Sequence, residues 1–372
     1  MAARRPDLTG LAIRLLTDYA RTCHRHVPRE ATDLMSPARW ISAFSLAAAA
    51  VAAIAAVRIA DGRSDTRLGD VRSWHYQLQS LDLDRLAASP ADMLVVDFSQ
   101  SQGAGRPMRP LEASEVERLK QKPGGGRRIV LAYLSIGEAE EYRYYWQPQW
   151  KAAPPPWIIA ENCRWPRNHL VRFWDDAWKD IMIRGDGAYL ARIEAAGFDG
   201  VYLDRIDVYD DIKDRFPDAR QRMIAFVGEL DREARRRRPD FLVVAQNAED
   251  LLDTAAYRSA LDGLAKEDLL YGLGGTGKRN TEDDIAWSRR RVDLLRADGK
   301  PVFAAEYLTS AAEIDAARKE LDGLGYLGTF PTRALDGADP LAQRRSGDFA
   351  REYGTPEFTA AHCNGVWRKS QS

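Results

Sequence analysis

The 372-residue sequence predicts an α/β fold, specifically a (β/α)8 TIM barrel, on three observations. Eight short apolar runs rich in β-branched residues follow one another from Trp74 onward. Amphipathic, charged stretches separate them. Several runs are apolar throughout rather than alternating, the pattern of parallel strands covered on both faces. Eight such units suit a barrel of about 250 residues plus insertions. A doubly wound open sheet is the runner-up, but the G-x-G-x-x-G turn that usually follows its first strand is missing.

The chain begins outside that pattern. Residues 1–39 form a basic segment with seven Arg and four acids. Residues 40–58 contain ISAFSLAAAAVAAIAAV at 41–57, with no charge and no proline. Two readings compete. Met35 could be the true start, so that the run is the core of a cleaved secretory signal. Alternatively the whole N-terminus is kept and the run is a signal-anchor helix, slightly shorter than the ~20 residues of a usual span. A buried alanine-rich helix is the bland alternative. The first two readings export the remainder, to the periplasm or the cell exterior, and limit membrane contact to this segment. Residues 59–71 read as a linker, 72–335 as the barrel, and 336–372 as a C-terminal extension packed on it.

The eight expected strands lie at 74–79, 93–99, 128–137, 200–207, 241–247, 261–271, 301–308 and 325–331. Expected helices cover 112–121, 176–196, 217–238, 282–298 and 311–322. Gly197 marks a stop for the second of these. The run Arg235 to Arg238 suits the C-terminus of the third, where cations oppose the helix dipole. With 54 Lys+Arg against 55 Asp+Glu, nothing global points to nucleic acid, and no nucleic-acid partner is expected.

One motif misleads. GLGGTGK at 272–278 matches G-x-x-x-x-G-K, but Arg279 stands where a phosphate loop needs Ser or Thr. It reads as a flexible loop after the sixth strand.

Barrel chemistry sits at the C-terminal ends of the strands. Acids collect there: Asp97 after the second run, Glu138 and Glu140 after the third, Asp204 and Asp207 after the fourth. Glu249 follows the fifth, Glu267 lies in the sixth, and Glu306 ends the seventh. The histidines show no zinc-ligand spacing and no G-x-S-x-G elbow occurs, so neither cofactor nor metal is expected. Paired carboxylates without either are what glycoside hydrolysis needs. Six of the ten Trp fall between residues 146 and 178. Most are expected to pack the loop after the third strand, with one or two left to stack on sugar. Only three Cys exclude a disulfide-dense miniprotein. In an exported chain Cys163 and Cys363 are expected to pair.

The words YLSIGEAEEYRYYW (133–146) and GFDGVYLDRIDVYDD (197–211) resemble glycoside hydrolase family 114, a family of endo-α-1,4-polygalactosaminidases. VRFWDDAWKD (171–180), AQNAED (245–250), KEDLLYG (266–272) and AAEYL (304–308) look like the same pattern, in the same order. The resemblance spans about residues 72–335 and implies a (β/α)8 barrel, a galactosamine-containing polysaccharide as substrate, and an Asp–Glu working pair. Carried over by position, Asp204 is the expected nucleophile or stabiliser and Glu267 the general acid/base, with the roles open to exchange. Asp97, Tyr133, Glu138, Asp207, Asn247, Glu249, Glu306 and Tyr307 are expected to line the substrate site. Deacetylated galactosamine is cationic, and an acidic mouth would attract it. The rivals are a non-catalytic carbohydrate-binding barrel and a polysaccharide-modifying enzyme of another class, a deacetylase or an oxygen-liganded metal enzyme.

Overall fold

The computed structural model describes residues 67–102 and 108–341. The basic segment, the apolar run at 41–57 and Cys363 lie outside them, and no helix among the described residues is long and apolar enough to cross a membrane. The chain divides into two compact units, 1–63 and 64–372, and all that follows concerns the second.

Eight strands form its centre: β1 (Trp74–Gln77), β2 (Met93–Asp97), β3 (Ile129–Ser135), β4 (Gly200–Asp204), β5 (Leu242–Gln246), β6 (Gly263–Glu267), β7 (Val302–Ala305) and β8 (Leu327–Thr329). Every neighbouring pair is parallel, and spatial order equals chain order. A doubly wound sheet must reverse its order at a switch point, and none occurs here. Across the seam, the Trp74 indole donates to the Leu327 carbonyl at 2.8 Å. Beyond it, the Leu78 amide donates to Leu335 O, also at 2.8 Å.

A period of two sorts the strand residues. Trp74, Tyr76, Met93, Val95, Ile129, Leu131, Tyr133, Tyr202, Val244, Ala265, Phe303 and Ala305 fill the barrel interior. Their neighbours Leu94, Val96, Val130, Ala132, Leu134, Val201, Leu203, Val243, Leu264, Val302 and Ala304 pack outward under the helices. Aromatic rings plug the interior: Tyr76 and Tyr202 lie 5.1 Å apart and Trp74 and Phe303 5.6 Å. The barrel is thus solid below, and chemistry is confined to its rim.

The outer layer comprises α1 (Leu83–Ala88), α2 (Ala113–Lys120), α3 (Asp176–Met182), α4 (Tyr189–Ala195), α5 (Val208–Asp211), α6 (Ala219–Arg237), α7 (Ala255–Ser259), α8 (Glu282–Ala297) and α9 (Ala311–Leu324). In α6 the buried residues Ala219, Met223, Phe226, Val227, Leu230 and Ala234 form one apolar stripe. The single helix expected over 176–196 is two, because the chain turns at Gly185 with φ +79°. The arginine run after α6 is engaged with the protein itself: Arg235 pairs with Asp231 and Asp262, Arg236 with Glu233, and Arg238 with Asp199. Asp199 also accepts from Lys120 Nζ at 2.7 Å and from Val130 N at 2.9 Å, tying together the closed, N-terminal end of the barrel.

The GLGGTGK segment is a tight hairpin. Gly272 N donates to Lys278 O at 2.9 Å, Tyr271 bridges Arg279, and α8 starts only at Glu282 after the Thr281 cap. No helix N-terminus follows the lysine directly, as a phosphate cradle requires.

Candidate active site

The inward phase of each strand decides which polar side chains reach the rim. Two residues beyond inward Tyr202 comes Asp204, and two beyond Ala265 comes Glu267. The same step from Val244 reaches Gln246, from Tyr133 Ser135, and from Ala305 Tyr307. Asp204 and Glu267 therefore end β4 and β6 and flank β5.

Asp204 accepts from the Tyr133 hydroxyl at 2.6 Å and from the Arg205 amide at 2.7 Å. Burial pushes its carboxyl up to about 7, and the neighbouring Glu267 carboxylate adds to the shift. Glu267 accepts on one oxygen from Tyr307, and on the other from Gln246 and from Asn247 Nδ2, the last at 3.1 Å. Burial raises it as well, while the Tyr307 bond favours its ionised form. The two acids titrate as a coupled pair and hold one proton between them near neutrality. With three donors on Glu267, that proton resides on Asp204 in the empty site.

The backbone is bent to serve this pair. Arg205, Asn247, Ala248 and Asp268 all adopt left-handed conformations, with φ of +55°, +55°, +53° and +52°. Each non-glycine residue held so costs of order 1–3 kcal/mol, and such residues gather at functional sites. Here the turn at Arg205 aims its amide back at Asp204. The turn at Asn247 lets its side chain grip Glu267 twice, since Oδ1 accepts from the Glu267 amide at 3.0 Å. Tyr76 donates to the Gln246 carbonyl oxygen at 3.0 Å, which leaves the Gln246 amide hydrogens for Glu267.

Behind the pair stand two buried arginines. Arg205 Nε donates to Glu138 at 2.7 Å, and its other nitrogens hold Asp207 and Asp211. Arg143 Nη1 donates to Asp97 at 2.6 Å, and its Nε to Glu140. The six acids expected to form one acidic mouth are therefore divided. Asp204 and Glu267 face the interior of the rim, and half-buried Asp207 pairs with Arg205. Glu138 and Glu140 are buried against guanidinium groups. Glu306 is wholly buried, pushed up to about 7 by burial, and accepts from the Leu270 and Tyr271 amides at 2.8 and 3.2 Å. It holds the chain that follows Glu267. Glu249 turns away to Ser288 on α8. Asp97 is inward but taken by Arg143. Tyr133, Asn247 and Tyr307 touch the pair directly. Arg205, Arg143 and Gln246 were absent from the expected set. Gln246 is recoverable from the period of two, while nothing local marks Arg143 as the partner of Asp97.

Among the described residues, no group of three or more His, Cys, Asp or Glu is arranged to hold a metal ion. A family model of glycoside hydrolases, GH114, matches residues 56–345. The chain belongs to glycoside-hydrolase family GH114. It is 35% identical over 273 residues to an uncharacterized protein of Deinococcus radiodurans, covering 72% of this chain and 83% of that one. An uncharacterized protein of Methanocaldococcus jannaschii is 33% identical over 271 residues, with 71% and 72% covered. Among solved structures, the glycoside hydrolase domain of PelA from Pseudomonas aeruginosa superposes with a TM-score of 0.56 at 20% identity. That match covers 72% of this chain and 96% of the PelA domain, and supports the barrel fold.

In this GH114 barrel the loop after β3 builds a small antiparallel sheet. Its strands are Glu138–Glu140, Asn168–Val171 and Ile158–Glu161. Four of the six clustered tryptophans pack in a row: Trp146 to Trp150 at 5.3 Å, Trp150 to Trp157 at 5.1 Å, and Trp157 to Trp178 at 5.1 Å. Trp174 packs on Phe216, while Trp165 is 51% exposed. Cys163 is disulfide-bonded, and its expected partner Cys363 lies outside the described residues.

Proposed function

We propose that this glycoside hydrolase cleaves an α-1,4-linked galactosamine-containing polysaccharide, with Asp204 and Glu267 as the working carboxylates. One observation carries the reading: two desolvated acids on the rim, coupled so that one proton is shared at neutral pH. Glycoside hydrolysis needs one acid protonated and its partner ionised at the same pH. The protonated acid gives its proton to the leaving glycosidic oxygen as the bond to the anomeric carbon breaks. The ionised partner attacks that carbon or takes a proton from the attacking water. Water then supplies the new hydroxyl of the reducing end.

The assignment of Glu267 as acid/base and Asp204 as nucleophile requires the shared proton to move to Glu267 when substrate binds. An ammonium group of galactosamine beside Asp204 would drive that move, because a nearby cation favours the carboxylate. Buried Ser135 Oγ and Tyr202 Oη have no hydrogen-bond partner among the described residues and offer donors at the same end of β3 and β4. We read the enzyme as exported, on the apolar run at 41–57 and on a disulfide at Cys163, which suits an oxidising compartment.

The test is reducing-end release from α-1,4-galactosamine polymers beside a β-1,4-glucosamine polymer as control. Release from the first polymer alone supports the reading; no release from it overturns the reading. The first-formed anomer, followed by NMR, then separates retention from inversion.

A further inference from the structure

We infer that Trp165 is an outer sugar subsite that selects N-acetylated units of the substrate; this rests on the function proposed above. Trp165 is the exposed member of an otherwise packed tryptophan cluster, at the tip of the hairpin that joins Ile158–Glu161 to Asn168–Val171. The tip is held rigidly. Asn162 N donates to Asn168 O at 2.7 Å, Asn162 Oδ1 accepts from the Arg164 and Trp165 amides at 2.8 and 3.3 Å, and Cys163 is disulfide-bonded.

The tip is also tied to the catalytic rim. Asn162 Nδ2 donates to Glu138 Oε1 at 2.7 Å, and Asn168 Nδ2 donates to Glu138 Oε2 at 3.3 Å. The same Glu138 accepts from Arg205, whose amide holds Asp204. Four consecutive hydrogen bonds thus fix the Trp165 backbone relative to the proposed nucleophile. A large apolar ring held in solvent on such a frame is preorganised, and it loses little freedom when a partner stacks on it.

The tip's charge defines the partner. Residues 162–168 contain Arg164 and Arg167 and no acid, and both arginines are exposed. A galactosamine ammonium is repelled there. A neutral N-acetylated ring presents its apolar C–H face to the indole without that penalty. Inner acids and outer arginines would together favour a polymer of mixed acetylation.

The test uses the Glu267→Gln protein, which should bind without cutting, and calorimetric titration with partially N-acetylated and with fully deacetylated α-1,4-galactosamine polymer. Adding Trp165→Ala should weaken binding of the acetylated polymer roughly tenfold, near the upper end of an aromatic contact. Binding of the deacetylated polymer should be unchanged, and Trp165→Phe should keep most of the affinity. Unchanged binding of the acetylated polymer, or equal loss for both polymers, overturns the inference. If Glu267→Gln alone binds neither polymer, it is the proposed function that fails, and the subsite falls with it.

Discussion

Tyr133 donates its phenolic hydrogen to Asp204 across the β3–β4 ladder, 2.6 Å from oxygen to oxygen. Tyr133 is buried, and its bond works against the burial and the Glu267 charge that raise Asp204. Replacing it by Phe removes that support and leaves the fold's apolar contacts. Tyr133→Phe should lower kcat roughly 10–100-fold, since hydrogen bonds to charged groups contribute about 1.5–3 kcal/mol. Its pH–rate profile should shift upward. An unchanged profile would show that the bond does not tune the pair.

The shared proton makes a pH prediction. Asp204 is pushed up to about 7, so the pair loses its last proton as pH rises through that value. Activity should fall above about 7, and should fall again at acid pH when the second carboxyl protonates. A rate that stays flat from pH 6 to well above 8 would remove the shared proton from the mechanism.

Stability should move with the same group. The folded carboxyl of Asp204 titrates near 7 against an ordinary 3.8. The folded state therefore binds the proton more tightly. That contribution to stability is fully present below the unfolded value and is lost as pH rises through about 7. Asp204→Asn should therefore raise Tm relative to wild type at pH 8, and raise it less at pH 4. A variant that is equally or more destabilised at pH 8 would contradict the desolvation account.

Gly137 carries a steric prediction. A Cβ there would run into the Arg205 carbonyl oxygen and lie 2.9 Å from the Val208 side chain. The Arg205 turn, which aims its amide at Asp204, has no room to yield without moving the acid. Gly137→Ala should fold and yet lose ~10²-fold in kcat, the scale of a small misplacement at a reacting centre. Wild-type kcat in a soluble Gly137→Ala protein would show that the turn can shift freely.

Much of this was legible in the sequence, and the limit has a physical form. Continuous apolar runs such as IVLAYLS located all eight strands, because both faces of each are buried. The same runs, read in steps of two, place Asp204 and Glu267 inward and Glu138 and Glu306 outward. Counting acids at strand ends without that phase merged the two sets into one acidic mouth. Asp97 shows what phase cannot reach: it points inward but is neutralised by Arg143, 46 residues away. The break between α3 and α4 was missed for a smaller reason. Amphipathic spacing continues past Gly185, whose positive φ ends the helix all the same.

The central claim is that Asp204 and Glu267 together hydrolyse a galactosamine polymer. The most direct measurement is mass spectrometry of products from partially deacetylated α-1,4-galactosaminogalactan, with wild type, Asp204→Asn and Glu267→Gln assayed side by side. The account predicts shorter oligomers with new reducing ends from wild type, and rates at least ~10²–10⁴-fold lower from each variant. Wild-type product formation by both variants would contradict it.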